Sequence, residues 1–590
     1  MSVRRDNGLA RVRRGVRGSG AVAGLLALGV ATIASGCSFG GHSSSGCSPL
    51  VLNVAAAPQI APAIRSVAAG YNRTHPKAGG NCVQVNVGAV APAGVASSLS
   101  GQGAITTPNR PDAWIPDSTL WIDQARTTPS GAGRVAAMGE SVAISPVVIA
   151  FPRAAALQLA KSGKRLSWKM LIPNALPSNA VSGSPAAAAA QAAATPFQLK
   201  VLDPAANAVG LAGLLAMRTV VGHGPAALVK FVTVARVTQF ITEPTDSSLF
   251  SSMLTATKPT AGITAEQSVL AHNKADPQHP VVAVYPSEGS PVLDYPYVAT
   301  TQSTAKRLAI VSFAQVLRSP AAQTAIRAVG LRTPDGAAAP AVGPAVGVSK
   351  QAPAPIPLPS AAVVDSVRAM WGRILIGARM LITLDESPSM GKLVPGTNIS
   401  RLQAIVKMSG LGISLFNKND VIGLWTFDTG LADPNNYRVV LPMRPLNQQI
   451  GSATQRDLLL GAMAAQKPQV DTVTALYQTI RSAFREVTRG YVPDRFNGVI
   501  VDTDGTNFDY RPHKLSLKGL VDTLRKEYNP QRPVNVLLIG YGHSADFPAM
   551  KEIADVTHGA AYEANSPVGI EKFYLSMLTR LVCDQNCPVP

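Results

Sequence analysis

Acids are scarce in this chain of 590 residues: 34 Asp and Glu stand against 53 Lys and Arg, for a net charge of +19. Clustered basic runs are missing as well. The cations are dispersed, which speaks against a nucleic-acid partner and fits a protein that works beside an anionic membrane surface. The apolar run Ala21 to Ala34 has 14 residues, too few to span a bilayer core of about 30 Å. Five cysteines are present in all; a zinc site is the rival reading for Cys583 and Cys587 in CDQNC, but no second pair of Cys or His ligands sits nearby at metal-binding spacing. Catalytic signatures are absent too. There is no G-x-x-x-x-G-K-[ST] phosphate loop and no H-E-x-x-H. The stretch "GESVA" from Gly139 lacks the closing glycine of a G-x-S-x-G nucleophile elbow, and no His and Asp offer themselves as partners. These absences leave a binding protein rather than an enzyme, and the length predicts two or three domains.

The N-terminus carries an export pattern. Arg4, Arg5, Arg11, Arg13, Arg14 and Arg17 precede the apolar run, and Ala34-Ser35-Gly36-Cys37 follows it. This tetrad resembles a bacterial lipobox, departing from it at Ala34, where leucine is preferred. The resemblance implies a lipoprotein: residues 1–37 would be the signal peptide and lipobox, with Cys37 as the lipidated residue. An ordinary signal peptide or an uncleaved anchor are the rival readings. Each puts the mature chain outside the cytoplasm, and lipidation would anchor it to the cell membrane.

Setting Cys37 aside leaves Cys47, Cys82, Cys583 and Cys587, an even number in an oxidising compartment. Proximity along the chain favours Cys47 with Cys82 and Cys583 with Cys587, although three connectivities exist in principle. The composition then divides the chain further. Residues 38–48 are a Gly/Ser-rich tether, 49–332 a first domain, and 333–360 an Ala/Pro-rich, semi-extended linker. Residues 361–582 form a second domain and 583–590 a C-terminal disulfide tail. An Ala-rich piece at 182–195 reads as a loop insertion.

The first domain alternates strand and helix. "PLVLNVAAAP" leads into the helix "QIAPAIRSVAAGYNRTHP", "CVQVNVGAV" is the next strand, and "RPDAWIPDSTLWIDQAR" is a strand, a turn and a helix capped at Asp117 or Ser118. This order predicts a parallel sheet with its turns gathered at one edge. With "VAISPVVIAFPR", "LKVLDPAANAVGLAGLLA" and "HPVVAVYPSEGSPVLDYPYV", the pattern resembles the extracellular solute-binding proteins of the type-2 periplasmic fold. That resemblance implies a two-lobed clamp on a small solute. Candidate ligand-binding contacts are Ala57, Pro58, Asp117, Ser118 and Asp203, the last ahead of a helix N-terminus able to receive an anion. Asp117, Ser118 and Asp203 equally fit plain helix caps, and Trp114 and Trp121 fit packing between lobes.

The second domain predicts a doubly wound α/β sheet, whose sites lie beyond the carboxyl ends of the strands. "ARMLITLDESPSM" brings Asp385, Ser387 and Ser389 to one such end, "TALYQTIRSAFREVTRG" opens a helix at Thr474, and "FNGVIVDTDGTN" ends on Asp504. Alternate positions leaving a strand point the same way, so the first three converge if the loop stays extended. Two carboxylates and three hydroxyls are hard ligands suited to Mg²⁺ or Mn²⁺. D-x-S-x-S, T-A-L-Y and the D-T-D-G strand end together resemble the von Willebrand factor A (VWA) domain, a Rossmann-like fold, and its metal-ion-dependent adhesion site. Glu386 and Pro388 stand where Val and Gly are common. The resemblance implies Ser387, Ser389 and Thr474 as hydroxyl ligands, Asp385 and Asp504 as direct or water-bridged ones, and a partner protein that supplies an acidic side chain. Asp502 is read as pointing away, Asp428 as a turn acid or a group behind the ligands, and His543 and His558 as surface or core residues.

The resulting expectation is a lipid-anchored extracytoplasmic binding protein with a solute-binding-like module and a VWA module that mediates metal-dependent adhesion or protein interaction. The alternative is the receptor of an ABC importer with an accessory VWA domain.

Overall fold

A computed structural model describes residues 47–101, 110–172, 197–395, 397–414, 416–430, 436–505, 507–509, 514–542 and 545–564. The export signal with Cys37, the Ala-rich piece at 182–195, His543 and the tail with Cys583 and Cys587 lie outside these residues. No helix among the described residues is long and apolar enough to cross a membrane.

The first domain holds two sheets. One is built from β1 (Ser48–Ala56), β2 (Lys77–Ala78), β3 (Asn81–Ala89), β4 (Ala113–Ile115), β5 (Ala136–Ser141) and β12 (Pro296–Ala299), in the order β2-β3-β1-β4-β12-β5. The other runs β10 (Val281–Val284), β6 (Ser145–Pro152), β9 (Thr260–Ala265), β7 (Gln198–Leu202), β8 (Thr242–Glu243), with β11 (Val292–Leu293) also on β6. Each sheet is the floor of one lobe. In β6, Val147, Val148, Ile149 and Ala150 are fully buried, the continuous apolar run expected of a strand covered on both faces.

The expected parallel sheet is only partly present. β1 pairs parallel with β3 and with β4, whereas β12 runs antiparallel to both β4 and β5. The reason is connectivity: β12 re-enters the first lobe after the chain has built the second, and so arrives from the opposite direction. Cys47 and Cys82 form a disulfide that ties β1 to β3 at their starts, selecting the pairing that chain proximity favours.

The second domain is one sheet of β13 (Ala378–Asp385), β14 (Val421–Phe427), β15 (Tyr437–Pro445), β18 (Phe496–Thr503), β19 (Asn535–Tyr541) and β20 (Ala560–Ala564), ordered β15-β14-β13-β18-β19-β20. A small hairpin, β16 (Gln449–Ile450) and β17 (Ala453–Thr454), stands apart. All pairs in the large sheet are parallel except β14 with β15. Every residue of β13 is buried, as its central position requires.

Residues 333–360 are irregular, as their composition predicts, yet they are fastened to the first domain. Arg332, 1 % exposed, donates to Glu266 through Nε (2.6 Å) and Nη2 (3.0 Å), and to the carbonyls of Gly336, Ser349 and Lys350. Farther on, Ser290 N donates to Ala354 O and Ile356 N to Ser290 O. Arg332→Met would strand the Glu266 carboxylate in the interior, a loss of about 3–5 kcal/mol. Urea unfolding of the variant should show its earliest transition shifted to lower denaturant; an unchanged midpoint would refute the structural weight given to this pair.

Candidate functional site

The turns after the strands of the first domain hold the predicted contact residues, and they sort into different roles. Ser118 is fully buried and caps the helix Thr119–Arg126, its Oγ accepting from Leu120 N at 3.2 Å. Asp117 is not a cap. Its Oδ1 accepts from Trp121 Nε1 at 2.7 Å, and burial pushes its carboxyl up to about 6, with Asp294 and Asp246 adding to the rise and the Trp121 bond opposing it. Asp203 does not open a helix: the next one, Ala208–Val221, begins after Asn207. The Asp203 carboxylate instead accepts from Ala205 N at 3.0 Å and from Trp371 Nε1 at 3.2 Å. Trp114 and Trp121 are packing residues, 0 % and 1 % exposed.

A cavity of about 1060 Å³ opens elsewhere between the lobes. The first lobe contributes Pro58 and Gln59 from the turn after β1 and Arg327 from the helix Pro320–Ala328; the second lobe contributes Arg153, Gln267 and Lys274. Parts of the 339–347 segment complete the wall. Of the sequence candidates, Pro58 lines this space, whereas Asp117, Ser118 and Asp203 do not. The charged residues of the lining are Arg153, Lys274 and Arg327, with no acid among the lining residues. Gln59 Oε1 is buried without a hydrogen-bond partner among the described residues, and a buried acceptor in that state favours a ligand that can donate to it. Its volume is at the upper end of small-molecule sites.

The second domain gathers its oxygen-bearing residues at one sheet edge. Asp385 is the last residue of β13, and β18 ends one residue before Asp504. Asp385 Oδ1 accepts from Ser387 N at 2.8 Å and its Oδ2 from Thr503 Oγ1 at 2.6 Å. Ser387 Oγ lies 3.1 Å from Ser389 Oγ, which donates to Asp504 Oδ1 at 2.7 Å. Thr474 precedes the helix Leu476–Arg489, and a Cβ placed on Gly505 would sit 3.5 Å from its Oγ1, so this hydroxyl borders the loop leaving Asp504. Burial drives the Asp385 carboxyl up to about 7, with the neighbouring Asp504 charge a smaller contribution in the same direction.

Two residues of this cluster escaped the sequence reading. Thr503 lies between two acids in "VDTDG", and its strand position was the available signal. Arg401 had none. It starts the helix Arg401–Ser414 and donates through Nη1 to Asp504 Oδ2 at 2.6 Å, 103 positions along the chain. Asp428 accepts from Gly430 N, which fits the turn-acid alternative of its two readings, and exposed His558 stands beside the Tyr528 ring. Among the described residues no three His, Cys, Asp or Glu side chains gather as a metal set; the cluster here has two carboxylates, and hydroxyls supply the rest.

Two lobes around a cavity define a clamp-type architecture, and residues 52–332 match the family described as bacterial extracellular solute-binding protein. Two uncharacterized proteins of Mycobacterium tuberculosis, from strains CDC 1551 / Oshkosh and ATCC 25618 / H37Rv, are each 26 % identical over 532 residues, covering 86 % of this chain and 73 % of the relative. Among solved structures, a periplasmic thiamin binding protein is 17 % identical with a TM-score of 0.37, over 55 % of this chain and 94 % of that one. A von Willebrand factor type A protein from Catenulispora acidiphila is 17 % identical with a TM-score of 0.28, over 35 % and 43 %.

Asp117 yields a pH test. Its folded pKa of about 6 exceeds the ordinary 3.8, so folding takes up a proton in that window and stability falls as pH rises from about 4 through 6. Asp117→Asn removes this dependence, and its stability relative to wild type should climb by about 2 kcal/mol between pH 4 and pH 7. Chemical denaturation at several pH values measures the difference, and a gap independent of pH would contradict the assignment.

Proposed function

We propose that the chain is an extracytoplasmic solute-binding protein of the type that serves an ABC importer, and that it binds rather than transforms its ligand. The observation that carries this is the cavity spanning both lobes of the domain matched to the solute-binding family. Its cationic lining favours an anionic small solute, and its apolar positions, such as Leu270 and Val342, favour a ligand with some hydrocarbon. Cys37 lipidation would hold the chain at the cell membrane, where a permease is within reach.

A second reading concerns the other domain, and the linked oxygen cluster favours it. Asp385, Ser387, Ser389, Thr474 and Asp504 would hold Mg²⁺ or Mn²⁺, as their resemblance to the VWA adhesion site implies. The donor set fits: it is all oxygen, and a cation would offset the cost of burying the Asp385 charge. Arg401 occupies Asp504 Oδ2, while Oδ1 faces Ser389. When bound, such an ion would present an open position to an acidic side chain of a partner protein.

Thermal shift separates these readings. In the full chain, small anions such as phosphate, sulfate and aliphatic carboxylates should raise the melting temperature, with about 2.7 kcal/mol expected at 100-fold excess over Kd, and neutral sugars should not. Ala271→Trp, which places a bulky ring in the lining, should abolish that response; a shift that survives this substitution would move the solute out of the cavity. For the ion, Mg²⁺ should stabilise wild type, and Asp504→Ala should remove the effect. An equal Mg²⁺ response in that variant would exclude the cluster as the site.

A further inference from the structure

One helix touches both lobes and then becomes the second domain. Ala361–Ile376 packs on Thr119–Arg126 in the first lobe and on Ala208–Val221 and Pro225–Thr238 in the second. Its two polar anchors are three residues apart, hence on one helix face. Arg368 donates through Nη2 to Leu120 O in the first lobe. Burial raises the nearby Asp123 carboxyl, and the Arg368 charge opposes that rise. Trp371, 2 % exposed, donates through Nε1 to Asp203 Oδ1 in the second lobe at 3.2 Å. Both anchor points lie beyond strand ends, Leu120 at the start of the helix that follows β4 and Asp203 in the turn after β7.

The helix passes into β13 through Gly377 alone. That residue holds φ 86°, and a Cβ on it would collide with Asp420 Oδ1. Asp420 receives Ala378 N at 2.6 Å and Asn417 N at 2.6 Å. It also faces the second lobe, whose Arg236 is 4 % exposed, lies 5.9 Å over the Phe416 ring and is electrostatically coupled to Asp420. The second domain is therefore seated on the second lobe at Arg236 and strapped to the first lobe at Arg368. A rotation of one lobe against the other changes the Leu120 to Asp203 separation. Either a helix anchor then breaks or the helix moves and carries β13 with it.

We infer that interlobe movement and the seating of the second domain are one coupled equilibrium, with Arg368 and Trp371 as its coupling contacts. The second domain thereby reads the state of the solute cavity, and what it binds would in turn bias the lobes, since coupling between sites is reciprocal. The identity of closure as a solute response rests on the solute-binding reading; the mechanical coupling does not.

The test uses the full chain without solute and two pairs of genetically encoded, non-cysteine spin labels, so that the disulfide is undisturbed. One pair spans the lobes at exposed Gln84 and Lys161; the other joins the second lobe to the second domain at Lys161 and exposed Lys518. Double electron–electron resonance should give one narrow distance for each pair in wild type. Trp371→Phe retains the packed ring and deletes the donor, and Arg368→Met retains the stem and deletes the charge. In the double variant both distributions should shift or broaden together, by about 2 Å or more. If both stay as in wild type, or only the lobe pair changes, the coupling is refuted. Should the double variant fail to fold by circular dichroism, Trp371→Phe alone is judged by the same two criteria. A chain whose labels move together but which no anion stabilises would retain the coupling and lose the solute reading.

Discussion

A guanidinium that is 1 % exposed has to place every N–H it carries, and Arg332 does so. Its Nε and Nη2 take the two oxygens of Glu266, and the remaining donors take the carbonyls of residues 336, 349 and 350. Tyr285 Oη completes the arrangement by donating to Glu266 Oε2 and receiving Ser349 N. The desolvation cost of such a pair is met only when its partners are all present. The consequence reaches beyond the pair. It forces the irregular segment after residue 332 back against the first domain, where part of it walls the cavity and the rest delivers the bridging helix to its place on the two lobes.

The same rule about buried charge shapes the second domain. Placing β13 in the middle of a parallel sheet buries its C-terminal Asp385 completely. An acid there is a poor choice for stability, since an isolated carboxylate loses its water without compensation. Hydrogen bonds from Ser387 and Thr503 recover part of that loss, and Arg401 neutralises the adjoining Asp504. Such residues at a strand end are the ones a binding function would keep against the interest of the fold. In the first domain the counterpart is Asp117, also buried, whose partner is a tryptophan N–H and not a cation.

Much of the architecture was legible because periodicity is local. The continuous apolar runs of β6 and β13 and the Ser118 cap could each be read from a dozen residues. The serines and acids of the second domain were equally legible, since the strand-end rule places them without knowledge of packing. Contacts in the first domain were not. Asp203 looked like a residue ahead of an anion-binding helix, and its carboxylate is instead taken by an indole 168 positions away. Nothing near Asp203 in the chain announces Trp371.

The sequence by itself determined the element types and the candidate oxygen ligands, and it favoured the Cys47–Cys82 pairing that the structure then selected. Tertiary structure decided the direction of β12, the cavity and its cationic lining, the fastening of residues 333–360 and the position of Arg401. The division has a physical cause. Strand and helix formation depend on neighbours within a few positions, whereas buried charges and ring donors are satisfied by whichever group the packed chain brings within about 3 Å, and sequence distance sets no limit on that choice.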